Sequence, residues 1–513
     1  MRRFCVICFL CVVGLFTEAQ KLKPAILKPA AFRHYVDYFN GMEDENIRQA
    51  IPNDSAWEWM QQNIPLFECP QQNFEEMFYY RWWTLRKHIK KTEQGYVFTE
   101  FLVQRSYADK YNMISSGLGH HIYEARWLHD QRYLNDYIRI WYRGNNGGPM
   151  KKLRFYSSWN IDAIYNRYKV NGDREILLDL LPDLTADYKA WEQERRGADG
   201  LFWQYDVRDA MEETISGGRK EKNPRPSINS YMYGNAKALY AIANLAWKDE
   251  MAKLYKAKAD TLKQLVQEKL WSSDDNFFEV RKEKGDTLAR VREAIGFVPW
   301  YFNLPDAKYN VAWKAALDPK HFCAPFGLTT ADRSHPQFRT HGCCNCEWDG
   351  AVWPFATSQT LTGMANLLNS GRKDIVSDSA YFDLLETYVE SQYYRGRPYI
   401  GEYLDEKIGY WLKGDQERSR YYNHSTFNDL IITGLVGLRP VEGNTFTVNP
   451  LLPANKWDWF CLDNVLYQGK IITILWDKTG KHYNKGKGLS VWVNGKKRQS
   501  RDELGPLTVY GGK

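Results

Sequence analysis

At 513 residues the chain exceeds one average domain and suits one large domain with a small appendage. A hydrophobic fraction of 44% supports a sizeable core. The formal charge of +7 comes from interleaved acids and bases; with no basic run or stripe it describes a solvated surface and argues against a nucleic-acid partner.

Residues 1–19 have the form of a cleavable signal peptide: Arg2 and Arg3, an apolar run over 4–16, then Thr17-Glu18-Ala19. The run is too short to span a bilayer, and no later segment reaches ~18 uninterrupted apolar residues. A secreted or periplasmic chain with no stable membrane insertion is therefore expected. Cys11 follows Phe9-Leu10 and lacks the small residue that a lipid-anchor site requires. Cys69, Cys323, Cys343, Cys344, Cys346 and Cys461 remain, and an oxidising compartment permits them to pair.

Residues 20–73 read as an irregular N-terminal leader with one helical patch near 55–62. Apolar residues then recur at helical spacing in 74–91, 118–142, 156–170, 174–195, 229–247, 249–270, 287–303, 309–317, 356–369, 375–394 and 425–437. Short turns such as 171–173 alternate with long loops at 197–228, 318–355 and 395–424. This alternation is what a ring of helical hairpins produces, with the long loops at its functional end. The expected fold is mainly α, an (α/α)6 toroid over 74–440. No repeated consensus supports a helical repeat array. After Pro440 the texture changes to strands at 445–450, 460–480 and 489–496, with Asn494-Gly495 as a hairpin turn. Residues 441–513 thus read as a small C-terminal β appendage, too short for an obvious sugar-binding module.

Candidate chemistry lies in the long loops. In 200–218 (GLFWQYDVRDAMEETISGG), Asp206, Asp209, Glu212 and Glu213 sit among Trp203, Tyr205 and Arg208. Acids beside aromatics can be desolvated, which raises a carboxyl toward general-acid range; a salt-bridged loop with Arg208 and Arg219 is the structural alternative. In 396–412, Glu402 lies between Gly401 and Tyr403. A carboxyl from a second loop is what glycoside hydrolysis demands. The aromatic content, 15% with 20 Trp and 34 Tyr, fills a core first and also suits stacking on sugar rings. The stretch 339–354 (RTHGCCNCEWDGAVWP) offers two readings. Its cysteines and Glu347 could hold zinc, with Cys323 or His341 completing the set, or form disulfides or buried thiols. Trp348, Asp349 and Trp353 could instead line a sugar pit.

Four segments resemble the (α/α)6 six-hairpin glycosidases related to glycoside hydrolase family 63, including the mannosylglycerate hydrolases. Residues 156–184 carry Trp159, Asp162, Gly172, Asp173 and Pro182 in the register of that family's helix pair. Residues 318–338 resemble the segment before its active-site loop. CEWDGAVWP (346–354) is similar to Y-W-R-G-P-V-W-P, with Asp349 where Arg is usual. IGEYLDEKIGYWL (400–412) resembles E-x-Y-D-p-x-t-G, whose Glu is the family's general base and falls on Glu402. The family's acid segment is best matched by AMEET (210–214), which assigns Glu212, with Asp209 the alternative.

The resemblance implies an inverting glycosidase acting on an oligo- or polysaccharide, without cofactor or metal. Trp159, Trp203, Trp348 and Trp353 would form stacking walls, Asp162, Arg208 and Asp349 would bond hydroxyls, and His424 with Asn423 would orient the base. Two rivals stand beside it. Some helical-toroid arabinofuranosidases also carry adjacent cysteines at a helix start, using one as nucleophile and zinc held by Glu and Cys; Cys343, Cys344 and Glu347 could mimic that. A non-catalytic glycan-binding protein is the other, although it has no need of paired loop carboxylates. No feature of the sequence signals an oligomeric state.

Overall fold

The computed structural model describes residues 24–340 and 346–511. The expected signal peptide, together with His341, Cys343 and Cys344, lies outside the described residues. Among those described, no helix is long and apolar enough to cross a membrane.

The chain alternates outer and inner helical elements six times. The outer ones are Gln72–Lys87, Arg132–Arg143, Leu181–Arg195, Asp249–Lys269, Trp313–Leu317 and Asp378–Ser391. Each precedes an inner partner: Leu118–Ala125, Asn160–Asn171, Pro226–Leu245, Val298–Tyr301, Pro354–Asn369 and Leu430–Leu435. Successive inner elements pack side by side, which makes the (α/α)6 toroid. The inner set is deeply buried: every residue of Leu118–Ala125 and of Leu430–Leu435 is covered.

Polar side chains close the ring. The backbone N–H groups of Phe427, Asn428 and Asp429 donate to the Glu124 carboxylate at 2.8–3.2 Å. Arg126 pairs with Asp429 at 2.7 Å. A buried carboxylate at three free N–H groups satisfies donors that the start of a helix leaves unpaired. The outer ring closes on apolar contacts, with Phe74 stacked on Phe382 at 5.5 Å.

Three expected helices differ. The 118–142 stretch breaks at 126–131, where Arg126 and Trp127 turn inward and both donate to Asp429. The 287–303 stretch is helical only at its end; Arg290 adopts φ 57 and Glu293 is extended, so the helical spacing there was accidental. The last helix is a π-helix over Leu430–Leu435. Tyr381 explains it: its hydroxyl donates to the Leu430 carbonyl at 3.1 Å, intruding on the helical ladder. A Cβ at Gly434 would meet that hydroxyl at 2.0 Å.

The C-terminal part is antiparallel β. A five-stranded sheet runs in the order Leu66–Glu68, Trp459–Tyr467, Lys470–Asp477, Gly488–Val493, Lys496–Arg501. Leu438–Arg439, Thr445–Val448 and Leu507–Tyr510 form a second sheet. Asn494-Gly495 makes the hairpin with both residues left-handed, as its primed turn demands. The first strand comes from the segment read as an irregular leader. That segment also carries helices Arg33–Asn40 and Ala56–Asn63. It is tied down by the Asp463 carboxylate, which accepts from the N–H groups of Ala25, Ile26 and Leu27.

Candidate active site

The six loops that enter the inner helices gather at one end of the toroid, so the positive ends of those helix dipoles face inward there. Five of the six loops line a cavity of about 520 Å³. The first brings Glu100, Arg105, Tyr107 and Ser116, and the second Phe155 and Tyr156. The third brings Arg208 and Glu212, the fifth Cys346 and Trp353, and the sixth Glu402, Arg418, Tyr422 and His424.

Glu212 is held in a strained turn: Ala210 and Glu213 on either side of it have φ 59 and 67, left-handed without being glycine. Its carbonyl accepts from Trp348 N–H at 3.3 Å, locking the third loop to the fifth. Burial pushes the Glu212 carboxyl up to about 7, with Glu402 and Asp206 adding to the rise. Glu402 is 3% exposed. Burial pushes it up too, and the Arg418 guanidinium 3.3 Å away holds it to about 6. A third carboxyl, Glu100, accepts from Tyr422 hydroxyl at 2.5 Å and Ser116 hydroxyl at 2.8 Å. Burial raises it to about 7.

Asp209 lies outside the cavity. It is fully buried, accepts from Arg225 Nε at 2.9 Å and from the Ser227 hydroxyl, and serves to neutralise Arg225. The desolvated-acid reading of the loop thus fits Glu212, and the salt-bridge reading fits Asp209 and Glu213, the latter paired with Arg219.

The aromatic walls differ from the sequence expectation. Trp159 is wholly buried, edge-on to His120 and Phe355, and forms a floor beneath the cavity. Its ring sits so close to the helix Leu118–Ala125 that a Cβ at Gly119 would lie 2.3 Å from it. Trp348 is buried behind Trp353, stacked at 4.6 Å, and Trp353 stacks on Tyr403 at 4.6 Å. With both faces covered, Trp353 offers the cavity an edge. Trp203 is outside, packed under Arg195 and Lys222.

The polar candidates divide as well. Asp162 accepts from Tyr123 hydroxyl at 2.7 Å and lines a separate cavity beyond the Trp159–Tyr301 floor. Asp349 pairs with Arg339 and braces its own loop. Arg208 does line the site, its guanidinium 3.4 Å above the Phe155 ring centroid. His424 lines it too; burial keeps its imidazole neutral, and both ring nitrogens lack a partner among the described residues. It packs on Tyr422 at 3.7 Å and makes no bond to Glu402.

Cys346 borders the cavity, and burial with the nearby Glu212 and Glu402 pushes its thiol up. Among the described residues no group of three His, Cys, Asp or Glu side chains could hold a metal ion.

Glu100, Arg105, Arg418 and Tyr422 went unread in the sequence. Glu100 follows the strand Gly95–Phe98 and looks like a strand end; Arg418 sits in GDQERSR, which looks like a solvated turn. Only the convergence of the loops makes a site of them.

Residues 110–425 match the mannosylglycerate hydrolase MGH1-like glycoside hydrolase domain, and 438–499 the C-terminal domain of glycosyl hydrolase family 65. A solved structure described as a sialidase is 62% identical with TM-score 0.93 over 95% of this chain, and the chain spans 45% of that protein. The family 63 mannosylglycerate hydrolase of Thermus thermophilus is 13% identical with TM-score 0.53, over 69% of this chain and 99% of its own. A family 78 rhamnosidase of a Bacillus species is also 13% identical, with TM-score 0.57 over 80% of this chain and 40% of its own. At such identities these two show the toroid alone.

Proposed function

The chain belongs to the mannosylglycerate hydrolase MGH1-like glycoside hydrolase family, and from that premise we propose that it is an exported, inverting glycosidase. Glu212 donates a proton to the leaving oxygen, and Glu402 takes one from the attacking water on the opposite face. What carries the reading is the unequal environment of two carboxyls lining one cavity: Arg418 keeps Glu402 ionised where Glu212 still holds its proton. Pairs of carboxyls pushed apart in this way mark the acid and the base of glycoside hydrolysis.

The remaining groups have consistent parts to play. Arg105 and Arg208, held over aromatic rings at the mouth, are donors for sugar hydroxyls, and neutral His424 can accept or donate one. The Tyr156 and Tyr422 rings supply apolar surface. Export rests on the form of residues 1–19 alone.

The test is hydrolysis of a glycan panel by the purified chain, with NMR of the first-formed anomer. Sialosides belong in the panel because of the relative's description, which names an activity of a protein more than twice this length. Release of a sugar with inverted configuration supports the assignment. Retention would demand a nucleophile in place of the base, and binding without cleavage across the panel would make the chain a glycan-binding protein.

A further inference from the structure

A second cavity, of about 460 Å³, lies behind the wall of the first. Two segments serve both. Along 418–422, Arg418 and Tyr422 line the catalytic cavity while Arg420 and Tyr421 line the second. Along 397–402, Arg397 and Tyr399 line the second cavity and Glu402 the first. The two are therefore separated by single stretches of chain.

Its lining is tyrosine and arginine. A tight hairpin, Tyr393–Tyr394 with Arg397–Pro398, turns at Arg395-Gly396 with both residues left-handed and projects the arginines outward. Tyr394 and Tyr399 meet at 5.2 Å with their planes splayed by 45°. Tyr394 and Tyr410 donate their hydroxyls to Asp415 at 2.8 and 2.9 Å, and Arg395 pairs with the same carboxylate at 3.0 Å. Tyr421 donates to Glu43, whose carboxylate also pairs with Lys87. Asp415 and Glu43 are thus already engaged. Arg397 is exposed, and Arg420 lies over the Tyr421 ring at 5.2 Å, in the field of Glu43 and Glu417. Neither makes an ion pair among the described residues.

We propose that this second cavity is a binding site for a carboxylated glycan. Splayed tyrosine faces suit a sugar ring, and a guanidinium fork matches a carboxylate in two parallel hydrogen bonds. The ligand bound here is a uronate-bearing part of a glycan, held on the far side of the wall that carries Glu402. The site would retain an acidic polymer and would discriminate against its neutral counterpart.

Calorimetric titration of the full chain with hexagalacturonate and hexamannuronate, each beside its carboxyl-reduced form, tests this. The expected result is binding of at least one uronate hexamer, weakened in high salt, and about tenfold or more weaker for its reduced form. Arg397→Ala with Arg420→Gln should lower that affinity by about tenfold or more, since each charge-assisted contact is strong. Arg105→Ala with Arg208→Ala, in the other cavity, should change it less than about threefold. Arg397→Glu alone, on the exposed hairpin, should weaken binding without disturbing the fold. The proposal is overturned if no uronate binds, if reduced and acidic forms bind alike, or if only the Arg105 and Arg208 pair matters. These readouts are of binding, so they stand whether or not Glu212 and Glu402 are the catalytic pair.

Discussion

Arg418 stands 3.3 Å from Oε2 of Glu402, whereas Glu212, lining the same cavity, makes no ion pair among the described residues. A cation beside one carboxyl favours its ionised form, and burial without one favours the proton. The wall itself thus sets the two groups apart in proton affinity, as the proposed base and acid require.

A narrow pH window follows. Activity requires Glu402 ionised and Glu212 protonated, so kcat/KM should fall below about 6 and above about 7. Arg418→Gln removes the cation that lowers Glu402, moving the acidic limb to higher pH and reducing the maximum; Arg418→Lys should restore most of both. A pH–rate profile on the wild type and the two variants checks this. An alkaline limb that stays flat to about pH 9 would exclude Glu212 as the acid.

Replacing either carboxyl by its amide should reduce kcat by about 10²–10⁴-fold while increasing stability at about pH 8. Both carboxyls titrate higher in the folded chain than in the unfolded one, so their contribution is fully present below about 4.5. It is lost as pH rises through about 6 for Glu402 and about 7 for Glu212. Above that range each carboxylate costs stability, at most roughly 3 kcal/mol for Glu212. Thermal melts of Glu212→Gln and Glu402→Gln should therefore exceed the wild type at about pH 8 and converge with it at about pH 4. A lower melting temperature at both values would mean that these carboxyls are structural supports.

Asp209→Asn should do the opposite. Arg225 and Asp209 are both fully buried, and removing one partner leaves the other charge uncompensated, a cost of about 3–5 kcal/mol. Denaturant titration should show a large loss of stability for Asp209→Asn. If that variant were instead stable and inactive, Asp209 rather than Glu212 would be the acid.

The toroid was legible in the sequence because apolar residues recur at helical spacing along its helices, in stretches such as 229–247 and 356–369. Glu402 and Glu212 were singled out by the segments that resemble the family's base and acid, and both line the cavity. The walls were not legible. Trp159, Trp348 and Trp353 look alike in sequence, yet one is floor, one is backing and one shows an edge, because each ring's exposure depends on residues far away in the chain. Asp162 and Asp209 failed to reach the cavity for the same reason: their partners, Tyr123 and Arg225, turn them elsewhere. The leader's strand left no signal because it is only three residues long and pairs with Trp459–Tyr467, at the far end of the chain.

Glu100 gives the sharpest check on the acid–base assignment. It shares the cavity, is bound by two hydroxyls and no cation, and is raised to about 7 as Glu212 is. As its charge develops it disfavours ionisation of Glu212 and Glu402, so removing it should lower both. Glu100→Gln is expected to keep kcat within about tenfold of wild type, since no proton transfer is assigned to it, and to shift the alkaline limb to lower pH. Tyr422→Phe, which frees one oxygen of Glu100 without removing its charge, should leave that limb nearly in place. The pH dependence of kcat/KM for the two variants decides the matter. A loss of about 10²-fold or more in Glu100→Gln, with Glu212→Gln still active, would transfer the acid's role from the third loop to the first.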